Sequence, residues 1–281
     1  MIDLKNAVKV YGKTAVIDNI NLSISDNGIY CLLGRNGAGK TTLMKLLAGY
    51  INISSGEITV NGKRVSCAHM PENVNYINNG AVQFNMPVKD LINAANDLQN
   101  DFDKDFAFEM AKRFELELNK KYNRLSFGMK TMLTTILTLA NRSKIILLDE
   151  PVAGVDAIMR DQFNSLVWES YENHPRIIMI STHLIDEIAK ISEHLIIIDK
   201  GKIFLQTDIS DIDERAYTLT GAAEIIEPLI RGLNCIGKTY VSGMAAAHIY
   251  GDRITPPSGV TLERMSLQDF FINIVGGKKD E

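Results

Sequence analysis

Apolar and polar positions along the chain change rhythm several times, and each rhythm predicts a different element. Ile20, Leu22 and Ile24 alternate with polar neighbours, and Ile58 and Val60 do the same after Gly56, so the first sixty residues read as short strands with one buried face. Asn61-Gly62 between apolar positions signals a hairpin turn. From about Val88 to Ala140 the period becomes helical. Leu91, Ala94, Ala95 and Leu98 share one face, and Phe106, Met110, Ala111 and Phe114 share another. Unbroken apolar runs at Ile145–Leu148, Ile177–Ile180 and Leu195–Ile198 read as buried strands, with a helix around Arg160–Tyr171 between the first two. Short apolar strands alternating with helices predict a parallel sheet covered by helices.

After about residue 210 the texture shifts to a small α+β module. It reads as a strand at Ala216–Leu219, a helix at Ala222–Ile230, strands at Cys235–Val241 and Ala245–Tyr250, a stiff turn at Pro256–Gly259 and a short helix at Leu267–Val275. The tail Gly276–Glu281 is expected to fray.

Composition narrows the class. The 281 residues are 46% hydrophobic and 23% charged, the balance of a soluble globular chain of one or two domains. A net charge of −4 offers no global attraction to nucleic acid or anionic lipid. No segment approaches the roughly 18 to 20 apolar residues of a membrane span, so any membrane role is expected to pass through a partner. Met1–Lys5 lacks the apolar core of a signal peptide. Cys31, Cys67 and Cys235 are scattered without ligand spacing, which reads as reduced thiols in cytosol.

The candidate chemistry begins at Gly34-Arg35-Asn36-Gly37-Ala38-Gly39-Lys40-Thr41-Thr42, which satisfies G-x-x-x-x-G-K-[ST] at every defined position. An apolar strand, Ile29–Leu33, precedes it, and an apolar helix from Leu43 follows. Strand, loop and helix in that order turn successive backbone N–H groups and a helix N-terminus toward phosphates. Lys40 is then placed to reach the β- and γ-phosphates, and the Thr41 hydroxyl to reach Mg²⁺. The chain is expected to bind a nucleoside triphosphate.

Further positions complete the chemistry. Ile145–Leu148 runs into Asp149 and Glu150, a buried strand ending in two carboxylates. Asp149 is placed to hold Mg²⁺ through its water shell, and Glu150 to act as general base on the attacking water. His183 follows the strand Ile177–Ile180, whose end lies at the same sheet edge as the phosphate loop, where it can orient that water. Leu125-Ser126-Phe127-Gly128-Met129 precedes a helix expected at Lys130–Ala140. Its serine hydroxyl and glycine backbone suit a second phosphate contact, on a nucleotide bound by another copy.

In the order and spacing of these motifs, residues 1 to 210 resemble the ATP-binding subunit of an ABC transporter. Gly34–Thr42 corresponds to the family's phosphate loop, Ile145–Glu150 to its hydrolysis strand, and Leu125–Met129 to its signature, usually L-S-G-G-Q. Ala153–Asp156 corresponds to the D-loop and His183 to the switch histidine. The resemblance implies that Tyr11 stacks on adenine, that Asn36, Gly37, Gly39, Lys40, Thr41 and Thr42 hold the phosphates, and that Ser126 and Gly128 close over the γ-phosphate from a second copy. Two departures stand out. Phe127 and Met129 replace the signature's first glycine and its glutamine. The Q-loop glutamine, which contacts nucleotide and Mg²⁺, falls at Asn79, with Gln83 the competing position.

The implied fold is α/β: a P-loop ABC ATPase domain over 1–210, with a mixed, mainly parallel sheet core, an antiparallel β subdomain and a helical subdomain at about 84–141. A C-terminal α+β extension fills 211–281. The implied activity is ATP hydrolysis with Mg²⁺ powering a membrane exporter. The Ser-x-Gly-Met-Lys signature and the tail are similar to ABC-2-type ATPases that export drugs or antimicrobial and amphipathic peptides. Expected partners are a polytopic membrane subunit and a second ABC ATPase subunit, identical or paralogous, at the cytoplasmic face of the membrane; nucleic acid is not expected. Competing readings are a soluble ABC-type ATPase acting on ribosomes or DNA, a nucleotide-gated module that hardly hydrolyses, and an importer.

Overall fold

The computed structural model describes residues 1–78, 84–99 and 101–276. The chain divides into two units, Met1–Gln206 and Thr207–Glu281. The first opens with a long hairpin, β1 (Ile2–Tyr11) and β2 (Thr14–Ile24), and then β3 (Gly28–Leu33), which leads through the phosphate loop into α1 (Lys40–Leu47). Next come β4 (Ser55–Val60) and β5 (Lys63–Arg64), with Asn61 and Gly62 both at positive φ between them, as the hairpin signal requires. The helical stretch holds α2 (Val88–Leu98), α3 (Lys104–Arg113) and α4 (Phe127–Ala140), preceded by β6 (Val74–Asn78). The unit closes with β7 (Ile145–Asp149), α5 (Ala157–Asn173), β8 (Ile177–Ser181), α6 (Ile185–Ala189), β9 (His194–Asp199) and β10 (Lys202–Asp208).

Two sheets result. One is antiparallel, in the order β2-β1-β4-β5; the other runs β10-β9-β3-β8-β7-β6. Within the second, β9, β3, β8, β7 and β6 pair in parallel. Strands β3, β7 and β8 are buried at every position, which is why their sequences are near-continuous Ile and Leu runs rather than alternating ones. Helix α1 lies between the sheets: Leu43, Met44 and Leu47 share a core with Ile2, Leu4 and Ile58 on one side and Leu32, Leu147 and Met179 on the other. The observed α/β architecture matches the pattern read from the sequence.

Some expectations are corrected. Leu98 is 85% exposed, unlike Leu91 on the same predicted face, because α2 ends at Leu98 and the chain is extended from Gln99. Helix α4 starts at Phe127, not at Lys130, because the Ser126 hydroxyl accepts the Met129 N–H at 3.2 Å and caps it three residues earlier. At the other end of α4, the buried Arg176 guanidinium donates to the carbonyls of Leu139 (2.9 Å) and Asn141 (3.0 Å). A cation there complements the helix dipole, although burial, with repulsion from Arg142, pulls the guanidinium down to about 10.

The second unit contains α7 (Ile209–Arg215), β11 (Ala216–Ala222), α8 (Ala223–Leu229), β12 (Cys235–Val241), β13 (Met244–Tyr250), β14 (Val260–Arg264) and α9 (Leu267–Gly276). Its strands form an antiparallel sheet in the order β12-β13-β11-β14. Tyr217, Leu219, Ala247 and Ile249 on one face pack with Ile226 and Ile230.

Candidate nucleotide site

The phosphate loop leaves the buried end of β3 and enters α1 through Gly39, which has φ +113°. A Cβ at Gly39 would stand 2.9 Å from the Val16 carbonyl oxygen, so the loop needs glycine for both conformation and space. Val16 sits at a bulge: Lys9 pairs with Ile17 and Val10 with Ala15, leaving Val16 without a partner on β1. The same carbonyl lies 2.6 Å from where a Cβ at Gly201 would be, in the tight β9–β10 turn, and the Gly201 N–H donates to Ala38 within the loop at 3.0 Å. A strand bulge and a distant turn thus pack against the loop.

Val16, Arg35, Asn36, Gly37, Ala38, Gly39, Lys40, Thr41, Thr42 and Glu150 line a cavity of about 340 Å³ over the loop. Lys40 is buried, and its ammonium donates to the Gly34 carbonyl at 2.6 Å. Burial lowers its pKa from the ordinary lysine value, while Glu150 and Asp149 pull the other way. A cation held among glycine N–H groups suits a polyphosphate.

Parallel register brings the remaining groups to the same edge. Asn78, Asp149 and Ser181 are neighbours across β6, β7 and β8. Asp149 is buried; its Oδ1 accepts the Ser181 hydroxyl at 2.6 Å and its Oδ2 the Tyr76 hydroxyl at 3.2 Å. Burial, and then the Asp149 charge, push the Tyr76 phenol well above the usual tyrosine range, so it remains a donor. Glu150 has φ +50°, and its N–H donates to both the carbonyl and the hydroxyl oxygen of Ser181 at 3.1 Å. Its Oε2 lies 2.8 Å from His183 Nδ1. An anchored carboxylate, a second carboxylate facing the loop cavity and an imidazole against it can together hold a hydrated cation and take a proton from water.

Other sequence-predicted positions lie elsewhere. Tyr11 is 48% exposed at the end of β1 and is not among the residues lining the loop cavity. Ser126 and Gly128 are likewise absent from that lining and belong to the start of α4. Phe127 beside them is exposed, with its ring 3.5 Å from where a Cβ at Gly154 would be. Asn79 and Gln83 lie outside the described residues. Sequence reading missed Tyr76, Ser181 and Val16: the first two are identified by register across parallel strands, and Val16 only by its bulge.

A phosphate loop after a central parallel strand, with two carboxylates and a histidine at neighbouring strand ends, defines a P-loop ATPase of the ATP-binding cassette class. The chain belongs to the family of ABC transporter ATP-binding proteins, and it is an ATP-binding ATPase. The family model described as ABC transporter matches residues 17–153. The chain is 30% identical over 225 residues to the ABC transporter ATP-binding protein YtrB of Bacillus subtilis, covering 76% of this chain and 73% of that one. It is 29% identical over 209 residues to the lantibiotic transport ATP-binding protein SrtF of Streptococcus pyogenes, covering 74% and 91%. It is 30% identical over 208 residues to the taurine import ATP-binding protein TauB of Escherichia coli O157:H7, covering 72% and 80%. Among solved structures, an ATP-binding subunit of an ABC transporter superposes with a TM-score of 0.67 at 20% identity, over 75% of this chain and 91% of that one.

Proposed function

We propose that the chain hydrolyses ATP to drive a membrane exporter of a drug or an amphipathic or antimicrobial peptide. Tyr11 stacks on adenine, and Asn36, Gly37, Gly39, Lys40, Thr41 and Thr42 hold the phosphates. Thr41, Asp149 through its water shell, and Asn79 would hold Mg²⁺, oxygen donors of the kind that this hard cation prefers; when bound it would neutralise charge on the transferring phosphoryl group. Glu150 accepts a proton from the attacking water, and His183 orients the water and the γ-phosphate. Ser126 and Gly128 act on the nucleotide of a second copy or a paralogue, packed head to tail. ATP binds the closed pair better than the open one, so binding closes it and hydrolysis releases it.

The observation that carries this reading is the 2.8 Å approach of His183 Nδ1 to Glu150 Oε2 beside the loop cavity, while Ser126, with its own capped helix, stands among none of that cavity's lining residues. Export is favoured by the likeness to SrtF and by the Ser-Phe-Gly-Met-Lys signature; the likeness to TauB is the counterweight. Among the described residues no helix is long and apolar enough to cross a membrane. In this reading the chain sits at the cytoplasmic face through a polytopic membrane subunit. The domain from 211 onward supports or regulates the dimer; its removal should lower ATP-dependent dimerisation or turnover.

The test is affinity purification of tagged Glu150→Gln chain with ATP from detergent-solubilised membranes of its native host. A stoichiometric polytopic membrane protein is the expected companion, and its topology begins to assign direction. Ribosomes, DNA-processing proteins or no partner would overturn the transporter role.

A further inference from the structure

Two residues before Tyr11 on the same face of β1, the Lys9 ammonium is 4.9 Å from the centroid of the Tyr11 ring. That ammonium is itself fixed, donating to the Asn52 carbonyl at 2.7 Å. The strand around it is braced from the same side: the Val10 N–H donates to Ser54 Oγ at 2.9 Å and the Ser54 N–H to the Val8 carbonyl at 2.7 Å. One face of the Tyr11 ring is therefore covered by a positioned cation, although the residue as a whole is half exposed. A cation over one face is attracted to the ring quadrupole and restrains the ring's rotation. Among the described residues no second ring or cation contacts Tyr11, so the exposed part of the half-exposed ring is a preorganised surface.

We propose that Lys9 is a positioning residue for nucleobase recognition, holding Tyr11 from behind so that a purine stacks on the free face. The inference rests on the reading of Tyr11 as the adenine platform and adds to it the residue that orients the ring. Lys9 is not among the residues lining the loop cavity, so its effect is confined to ligands that carry a base.

Equilibrium binding to the full chain in EDTA, by titration calorimetry, tests this with ATP and with inorganic tripolyphosphate. Lys9→Met should weaken ATP roughly two- to fivefold, the scale of an exposed cation–π contact, and leave tripolyphosphate unchanged. Lys9→Arg should restore ATP affinity. In a Tyr11→Ala background, Lys9→Met should have no further effect. Lys5→Met, which makes the same change in net charge elsewhere on β1, should bind both ligands as wild type does. If Tyr11→Ala weakens ATP while Lys9→Met does not, or if Lys9→Met weakens both ligands equally, the role of Lys9 is overturned and the platform stands. If Tyr11→Ala alone binds ATP as wild type does, the platform reading fails, and the role of Lys9 fails with it.

Discussion

The Ser181 hydroxyl donates to Asp149 Oδ1 at 2.6 Å, while Ser181 Oγ accepts the Glu150 N–H at 3.1 Å. One hydroxyl thus orients the carboxylate assigned to the metal and the backbone of the residue assigned to the base. Such outer contacts to a ligating carboxylate commonly set metal affinity. Ser181→Ala should raise the Mg²⁺ concentration for half-maximal phosphate release by roughly tenfold, with the chain still folded. An unchanged Mg²⁺ titration would remove Ser181 from the site.

Glu150 faces the loop cavity, contacts His183 and is only partly buried, so its replacement by the isosteric amide should spare the fold. Glu150→Gln should lower steady-state phosphate release by about 10²-fold or more, the usual contribution of a positioned base, and accumulate an ATP-bound dimer on size exclusion. Hydrolysis at the wild-type rate would sink the assignment.

Gly201 lies outside every motif yet touches the phosphate loop through Ala38 and the Val16 carbonyl. Gly201→Ala should lose roughly 1–2 kcal/mol to left-handed strain, and more to the clash with Val16, and should weaken ATP binding. Gly62→Ala is the control, since Gly62 has a similar φ of +76° with nothing within 4 Å of an added Cβ. Calorimetric ATP titration of both variants separates loop distortion from strain; equal affinities would refute the link.

Burial pushes the Cys31 thiol up to about 12, whereas Cys67 is exposed. At pH 8 an alkylating reagent should label Cys67 and leave Cys31 unlabelled until the chain is denatured, as read by mass spectrometry. The sign for stability follows. In the unfolded chain the thiol ionises near 9.0 and in the folded one near 12, so the folded state binds the extra proton between these values and stability falls as pH rises through that window. Moving from pH 8 to pH 10 should therefore cost the wild type on the order of 1 kcal/mol more than Cys31→Ala in thermal denaturation. Equal losses would contradict it.

The parts of this molecule legible in the sequence are those whose chemistry is contiguous. Gly34–Thr42 and Asp149-Glu150 carry their own spacing, and the apolar runs before them identify the strands that deliver them. Ser181 and Tyr76 reach Asp149 only because β6, β7 and β8 align in register, a relation between segments over thirty residues apart or more. The Val16 bulge left no trace in the alternation of β2, since Val16 and Ile17 simply read as two apolar neighbours. The sequence pattern puts the start of helix α4 three residues late because Phe127-Gly128 looks like loop, and only the Ser126 cap reveals the first turn. In the second unit, β14 has no clear signal in the sequence: its five residues include Glu263 and Arg264, too short and too charged to outweigh the proline turn before them.

Arg176 pins the carboxyl end of α4 through two carbonyls, while among the described residues the opposite end, at the exposed Ser126, has no comparable buried clamp. At 1.5 Å per residue the 14-residue helix is a lever of about 21 Å. A tilt of about 5° about that pin sweeps Ser126 through about 2 Å, which is the difference between a hydrogen bond and none.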